Sequence, residues 1–472
     1  MIPAVRLLAI PIRLMLALFA VYALWTIPSL LPRWGASPTG FALLAGWLVL
    51  ASAAWPLARG RWHGPRRWTV LIAITVGLRL VVLAFSWGHA PTGDPMIYVQ
   101  LARDMLGGRG LSFTDPFTGV TFRALYPPAY PLLLAGLGGL FGLGSLMLWS
   151  SNLLLDLMAA ALIVRIGHRA GAARGGQAAA WLYLIWPTFL LATPFAQKEP
   201  LVSVLALALV LRLLGLKNRR APDTRDGAIF GILAGLLALT QPGLATLPLM
   251  AGLLLLPVLG FAPLFALAWR SIPVALLLLA PWWIRNGLLL GHFVPLTSTG
   301  GIGLWIGNNP QASGNWMPLP DSLSHLPELE QSARAATAAK AWIAGHPFDM
   351  LRLNLTKLFR TFGVEIFTPL RWSLLRPALP AAVAAALFPL LQGALFIAMA
   401  LGAALIRRSG GILILLLAAI FAQLLIFDLW FEFAERHRYV VMPFLFLILG
   451  QALARRATPA ASAPRPASRA IA

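Results

Sequence analysis

Only 15 of the 472 residues are acidic, against 37 lysines and arginines, so each carboxylate can be weighed on its own. Most have ordinary explanations. Asp223 and Asp226 balance charge in a basic turn, and Asp321, Glu328, Glu330 and Asp349 fit a solvated helix face. Asp104 and Asp115 lie beside Arg103 and Arg109 and read as surface pairs, while Glu365 is ambiguous. Three acids resist such readings. Asp94 stands in Gly93-Asp94-Pro95-Met96-Ile97-Tyr98, where an Asp before a Pro marks an ordinary helix start. The same carboxylate, a few residues past a membrane span, could instead take a proton from an attacking hydroxyl. Glu199 follows Lys198, one of four lysines in the chain, in Gln197-Lys198-Glu199-Pro200; an exposed neighbour pair is the plain alternative. Asp156 falls midway along an apolar run, where an acid is costly enough to be either functional or paired. Arg79, inside another run, is its candidate partner, and a buried structural pair stands beside the functional reading.

Cations form a second pattern. Lys198, Arg285 in Trp282-Trp283-Ile284-Arg285-Asn286, and Arg436 and Arg438 in Glu432-Phe433-Ala434-Glu435-Arg436-His437-Arg438-Tyr439 all fall at the outer ends of apolar runs. Outer-face arginines run against the positive-inside bias and need a reason. One is snorkelling to lipid headgroups. The other is a fixed site for a phosphate, which Arg binds bidentately and Lys as a point charge. Such cations also stabilise charge that develops as a phosphate leaves. Of the seven histidines only His437 sits among these cations, and no pair has metal-ligand spacing. The absence of cysteine excludes disulfides, thiolate catalysis and Cys-ligated zinc. No Walker-type loop supports use of a soluble nucleotide.

These residues must be positioned by membrane helices. The chain is 59% hydrophobic and 11% charged with mean hydropathy +0.79, far from the roughly 25% charged residues of soluble domains. A soluble enzyme is excluded. The net charge of +22 reports topology and anionic lipid rather than nucleic acid, since little polar surface exists to carry it. Apolar runs predict about twelve spans, near 8–31, 40–58, 68–88, 146–165, 177–196, 200–216, 228–247, 250–268, 271–285, 380–406, 411–431 and 439–455. Three basic turns, Arg59–Arg67, Arg165–Arg174 and Lys217–Arg225, belong in the cytoplasm. Between the first two the number of crossings must be even. Leu125–Gly144, apolar but rich in Pro and Gly, is therefore read as a juxtamembrane helix within one outer loop, 89–145. The expected organisation is 1–67, two additional N-terminal helices with their basic turn; 68–285, the main transmembrane module; 286–378, a second large outer segment; 379–456, C-terminal helices; and 457–472, a disordered basic tail. No internal repeat of the transporter kind is visible.

The motifs then resemble a known family. Gly93-Asp94-Pro95-Met96-Ile97-Tyr98-Val99-Gln100-Leu101-Ala102 is similar to the first outer-loop motif of the GT-C superfamily of membrane glycosyltransferases, in the bacterial protein O-mannosyltransferase and aminoarabinose transferase-like group. Gly107-Gly108-Arg109 through Tyr126-Pro127-Pro128 looks like that loop's continuation. Lys198-Glu199-Pro200, Pro281–Asn286 with Gly307-Asn308-Asn309-Pro310, and Glu435–Tyr439 with Pro443 resemble later family stretches, in order. Pro95 replaces the usual second acid, and Gln241 stands where members often carry a cation. The resemblance implies an all-α polytopic GT-C protein of the bacterial inner membrane, with juxtamembrane helices in two large periplasmic loops. It implies transfer of a sugar from a polyprenyl-phosphate donor to a hydroxyl on a lipid, glycan or protein, with inversion. Asp94 would be the base, Lys198, Arg285, Arg436 and Arg438 the donor-phosphate ligands, and Glu199, Tyr98, Tyr126, His437, Arg79 and Asp156 supporting residues. No metal ligands are identified, and a divalent cation is left open. A polyprenyl-linked oligosaccharide polymerase or ligase, and a lipid or sugar-carrier flippase or transporter, are the alternatives.

Overall fold

A computed structural model describes residues 3–62, 64–89, 91–217, 222–375, 380–433 and 435–455. The expected basic tail, 457–472, and Arg219 and Arg220 of the third basic turn lie outside them. Among the described residues the fold is almost wholly helical, the one sheet being a hairpin of β1 (Phe113–Thr114) and β2 (Thr121–Phe122) in the first outer loop. Eight helices are long and apolar enough to cross a membrane: Leu7–Trp25, Pro38–Arg59, Arg66–Ser86, Ser145–Arg169, Pro242–Leu259, Phe261–Leu290, Ala381–Arg408 and Gly411–Asp428. The other four expected spans are helical but shorter or broken.

The helices used below are α1 (Pro3–Trp25), α2 (Pro38–Ser52), α3 (Arg66–Ser86), α4 (Asp94–Leu106), α5 (Ala129–Phe141), α6 (Ser145–Arg169), α7 (Ala173–Leu184), α8 (Pro187–Ala192), α9 (Glu199–Gly215) and α10 (Thr224–Ala238). They continue as α11 (Leu247–Leu259), α12 (Phe261–Leu290), α13 (Glu328–Gly345), α14 (Pro347–Gly363), α15 (Phe367–Leu375), α16 (Pro380–Leu405), α17 (Gly411–Gln423) and α18 (Met442–Ala454).

The break between α7 and α8 shows why the interior holds charge. Pro187 cannot donate to a preceding carbonyl, so the run expected as one span divides at Ile185 and Trp186. The freed carbonyls find side-chain donors: Arg79 Nη1 to Leu184 O at 2.8 Å and Trp47 Nε1 to Ile185 O at 3.1 Å. Arg79 also pairs with Asp156 at 2.7 Å, whose other oxygen accepts from Tyr183 at 3.0 Å. All three side chains are buried. Arg79 and Asp156 thus hold a helix break together, and they do so away from the outer cleft described below. Past α8, Asn152 donates to Thr193 O and Phe195 O, fixing the coil that delivers Lys198 and Glu199.

Elsewhere α4 packs against α5 through Tyr98, Ala102, Tyr130 and Leu134. Glu328, expected on a solvated face, is instead 6% exposed. It accepts from the backbone N–H groups of Arg123 and Ala124, each at 2.8 Å, and from the Ser298 hydroxyl. One carboxylate therefore ties the first outer loop to α13. Asp104 pairs with Arg109 as expected.

Candidate active site

Gly93 adopts φ +63° as the N-cap of α4 and makes no side-chain cap. This left-handed conformation is one that glycine adopts without strain. Asp94 is consequently the first residue of the helix rather than its cap, and its side chain is left for other partners. Oδ1 accepts from the Tyr126 hydroxyl at 2.6 Å, and Oδ2 is ion-paired with Arg436. Arg436 reaches Glu432 as well, at 3.4 Å. Burial alone would raise the Asp94 pKa. The Arg436 guanidinium, the Tyr126 hydroxyl, Lys198 and Arg371 outweigh it and hold the carboxyl below its usual value. Tyr126 is a neutral phenol, pushed up by burial and by Asp94 itself.

Asp94 forms one wall of a cleft with α8, the Phe195–Glu199 coil, the start of α15 and the Glu435–Tyr439 turn. Tyr98 lines it too, its ring tilted against Tyr126 and edge-on to Tyr130 with ring centroids 4.8 and 5.0 Å away, and its buried hydroxyl has no hydrogen-bond partner among the described residues. Opposite lies Arg371, whose guanidinium rests 4.3 Å from the Phe367 ring centre and 5.0 Å from that of Phe195. Its Nη1 is buried without a described hydrogen-bond partner. Two contacts fix α15 in place. Glu435 accepts from the backbone N–H groups of Ile366 and Phe367, and Trp372 Nε1 donates to Leu191 O at 3.0 Å. Lys198 lies close enough to Asp94, Glu199 and Arg436 to feel their charge, but burial still lowers its pKa. Glu199 also faces the cleft.

The expected rim of cations is therefore only partly assembled. Arg436 lines the cleft and Lys198 borders it; Arg285 and Arg438 do neither. Arg285 donates to Arg123 O at 2.8 Å, to Leu111 O at 2.6 Å and to Asn286 Oδ1 at 2.8 Å, and lies over Trp282. Its guanidinium is spent on the backbone of the first outer loop. Arg438 is 1% exposed, ion-paired with Glu365, and donates to Thr361 O and Val364 O. It ties the last outer turn to the end of α14, and Glu365 is its partner. His437 stacks on Phe433 at 4.8 Å, and burial together with Arg436 and Lys198 keeps its imidazole neutral. Arg371 had no distinct signal in sequence, being one arginine of 33 in a segment with no motif, while Glu435 stood within the last quoted motif without a role of its own. Among the described residues no group of three or more His, Asp or Glu is placed to hold a metal ion. Both Asp94 oxygens are already engaged, and Pro95 supplies no second carboxylate.

No family model and no curated protein matches the chain. Solved structures do. The crystal structure of the Archaeoglobus fulgidus oligosaccharyltransferase in complex with Zn and sulfate aligns at TM-score 0.51 and 18% identity, over 81% of this chain and 48% of that one. The archaeal oligosaccharyltransferase AglB from the same organism, with an inhibitory peptide and a dolichol-phosphate, aligns at TM-score 0.45, 15% identity, 80% and 50%. ArnT from Cupriavidus metallidurans bound to undecaprenyl phosphate aligns at TM-score 0.41, 14% identity, 83% and 78%. The fold is that of the GT-C membrane glycosyltransferases. The chain spans about half the length of the oligosaccharyltransferase it matches.

Proposed function

We propose that the protein transfers a sugar from a polyprenyl-phosphate carrier to an acceptor hydroxyl in the cleft around Asp94, at the periplasmic face of a bacterial inner membrane. The observation that carries this reading is a carboxylate and an aromatic-flanked guanidinium, Asp94 and Arg371, facing one cleft, with Arg371 Nη1 buried and without a described hydrogen-bond partner. Arg371, Lys198 and Arg436 receive the donor phosphate. Their charge grows in value as the anomeric carbon–oxygen bond breaks and its electron pair passes to the phosphate. Asp94 takes the proton of the acceptor hydroxyl as that oxygen attacks the anomeric carbon. Attack and departure on opposite faces invert the centre.

Arg436 has a second part in this scheme. While paired with Asp94 it makes the carboxylate a weak base. A donor phosphate that draws Arg436 towards itself frees Oδ2 and strengthens the base where it is needed. Tyr126 keeps the carboxylate oriented through Oδ1. Tyr98 and Glu199, which line the cleft, meet the sugar ring. The test is incubation of the purified protein with a panel of polyprenyl-phosphate sugars, following hydrolysis or transfer. Turnover of at least one donor that is lost in Asp94→Asn supports the reading. An Asp94→Asn protein as active as wild type removes it.

A further inference from the structure

A second concavity lies away from the cleft, between the end of α1 and one face of α14. Its walls are Tyr22, Phe348, Leu351, Leu355 and Phe359, with Arg352 at one side. Counted with its open mouth it encloses about 630 Å³. The spacing of those α14 residues, i, i+3, i+4, i+7 and i+11, is that of a single helix stripe. The opposite face is committed to the protein: Lys357, Thr361 and Phe362 are buried, Phe362 stacking on Phe19 at 4.9 Å. Gly363 lies against Phe19 and Tyr22 so closely that a Cβ would be 2.7 Å from the Tyr22 ring. Tyr22 packs on Phe359 at 4.9 Å. The helix is thus anchored across the last turns of a membrane-length helix.

What it shows outward is apolar. Phe348 is 85% exposed, Leu351 58% and Leu355 49%, beside Trp25 at 74%. A Tyr–Trp pair at the end of a spanning helix marks the headgroup level, and an amphipathic helix there lays its apolar side into the acyl boundary. Arg352 is exposed next to this stripe. Asp349, three residues earlier and also exposed, forms no ion pair with it among the described residues. An exposed arginine beside an apolar groove favours a lipid of net negative charge over a zwitterion, whose own ammonium offsets the phosphate that both carry.

We propose that this groove seats one anionic phospholipid of the adjacent leaflet, with an acyl chain along Phe348, Leu351 and Leu355 and the phosphate on Arg352. The site uses none of the cleft residues, so it stands apart from the glycosyltransferase reading. It also accounts for part of the additional N-terminal segment, because α1 supplies one wall of the groove. The experiment is native mass spectrometry of the full chain released from bilayer discs of equal phosphatidylglycerol and phosphatidylcholine. One phosphatidylglycerol should be retained with roughly fivefold preference, the order expected for one basic residue acting on a lipid's net charge. Arg352→Gln should bring the preference near unity, and Leu351→Asp should lose the bound lipid altogether. Arg334→Gln, which removes an exposed charge from neighbouring α13, should leave the preference intact. Equal retention of the two lipids, or equal loss in R334Q and R352Q, would overturn the proposal. So would displacement of the phosphatidylglycerol by undecaprenyl phosphate, which would make the groove a berth for the carrier instead.

Discussion

Asp94 has Tyr126 on one oxygen and Arg436 on the other, and each contact makes a separable prediction. Asp94→Asn should lower turnover by roughly 10²–10⁴ while donor affinity survives. Turnover and affinity measured side by side decide it; a loss of both would mean that Asp94 only shapes the cleft. The pH profile separates the Arg436 contribution. A carboxyl held below its usual value shows no acid limb in kcat/KM above about pH 4. Arg436→Gln removes the strongest opposing influence and lets burial dominate, so the acid limb should rise to higher pH. An unmoved limb would assign it to another group. For the phosphate, Arg371→Ala should weaken donor binding by about 1.5–3 kcal/mol without loss of stability. Arg285→Ala should do the reverse, lowering the melting temperature and sparing affinity, because its donors serve Arg123 O and Leu111 O. Comparing the two in one titration tests whether the cleft, and not the rim as a whole, holds the phosphate.

At the scale of elements, α14 connects the outer turn to the membrane helices through a buried amine. Lys357 donates to Leu429 O at 3.0 Å, and burial pushes its pKa down to about 7. In the unfolded chain it titrates near 10.5. Between those values the unfolded state binds a proton that the folded state has released, so stability increases with pH across the window. Below about pH 7 both states are charged and the cost of burial is fully present. Thermal melts from pH 6 to 9.5 should rise through the upper part of this range, and Lys357→Met should flatten the rise. A slope unchanged by the substitution would show that the folded ammonium keeps its proton.

The same elements show what a sequence can carry. Apolar runs located a helix at each expected span, because length and hydropathy are local properties. The Gly-Asp-Pro motif marked the start of α4, yet only the fold shows that Gly93 takes the cap and releases Asp94. Glu328 looked solvated because its helix is polar; its burial depends on Arg123, some 200 residues distant. Arg285 and Arg371 are both outer-segment arginines beside aromatics, and sequence favoured Arg285. Which guanidinium finds carbonyls and which finds a cleft is settled by tertiary placement alone.

For the whole molecule the decisive matter is which surfaces share a side of the membrane. α5 has 13 residues, about 20 Å of helix at 1.5 Å per residue, against a hydrocarbon core of about 30 Å. Its first N–H, at Ala129, donates to Leu239 O at the end of α10, and its flank packs on α4. The cleft gives an independent argument. α6 leaves from Ser145, and α7 with α8 return along it, so Lys198 and Glu199 emerge at the Ser145 end. Glu199 and Asp94 line one cleft; Ser145 must then lie on the same side as Asp94, which an α5 that crossed would forbid. The chain contains no cysteine, so single-cysteine variants give unambiguous labelling. Ser112→Cys and Ser145→Cys should both react with an impermeant maleimide in intact cells, while Thr224→Cys, in the third basic turn, should react only after permeabilisation. Opposite behaviour of positions 112 and 145 would place α5 through the membrane. Labelling of Thr224→Cys in intact cells, with Ser112→Cys and Ser145→Cys reacting only in inverted vesicles, would instead turn the whole molecule over and put the Asp94 cleft in the cytoplasm, where a carrier facing the periplasm cannot reach it.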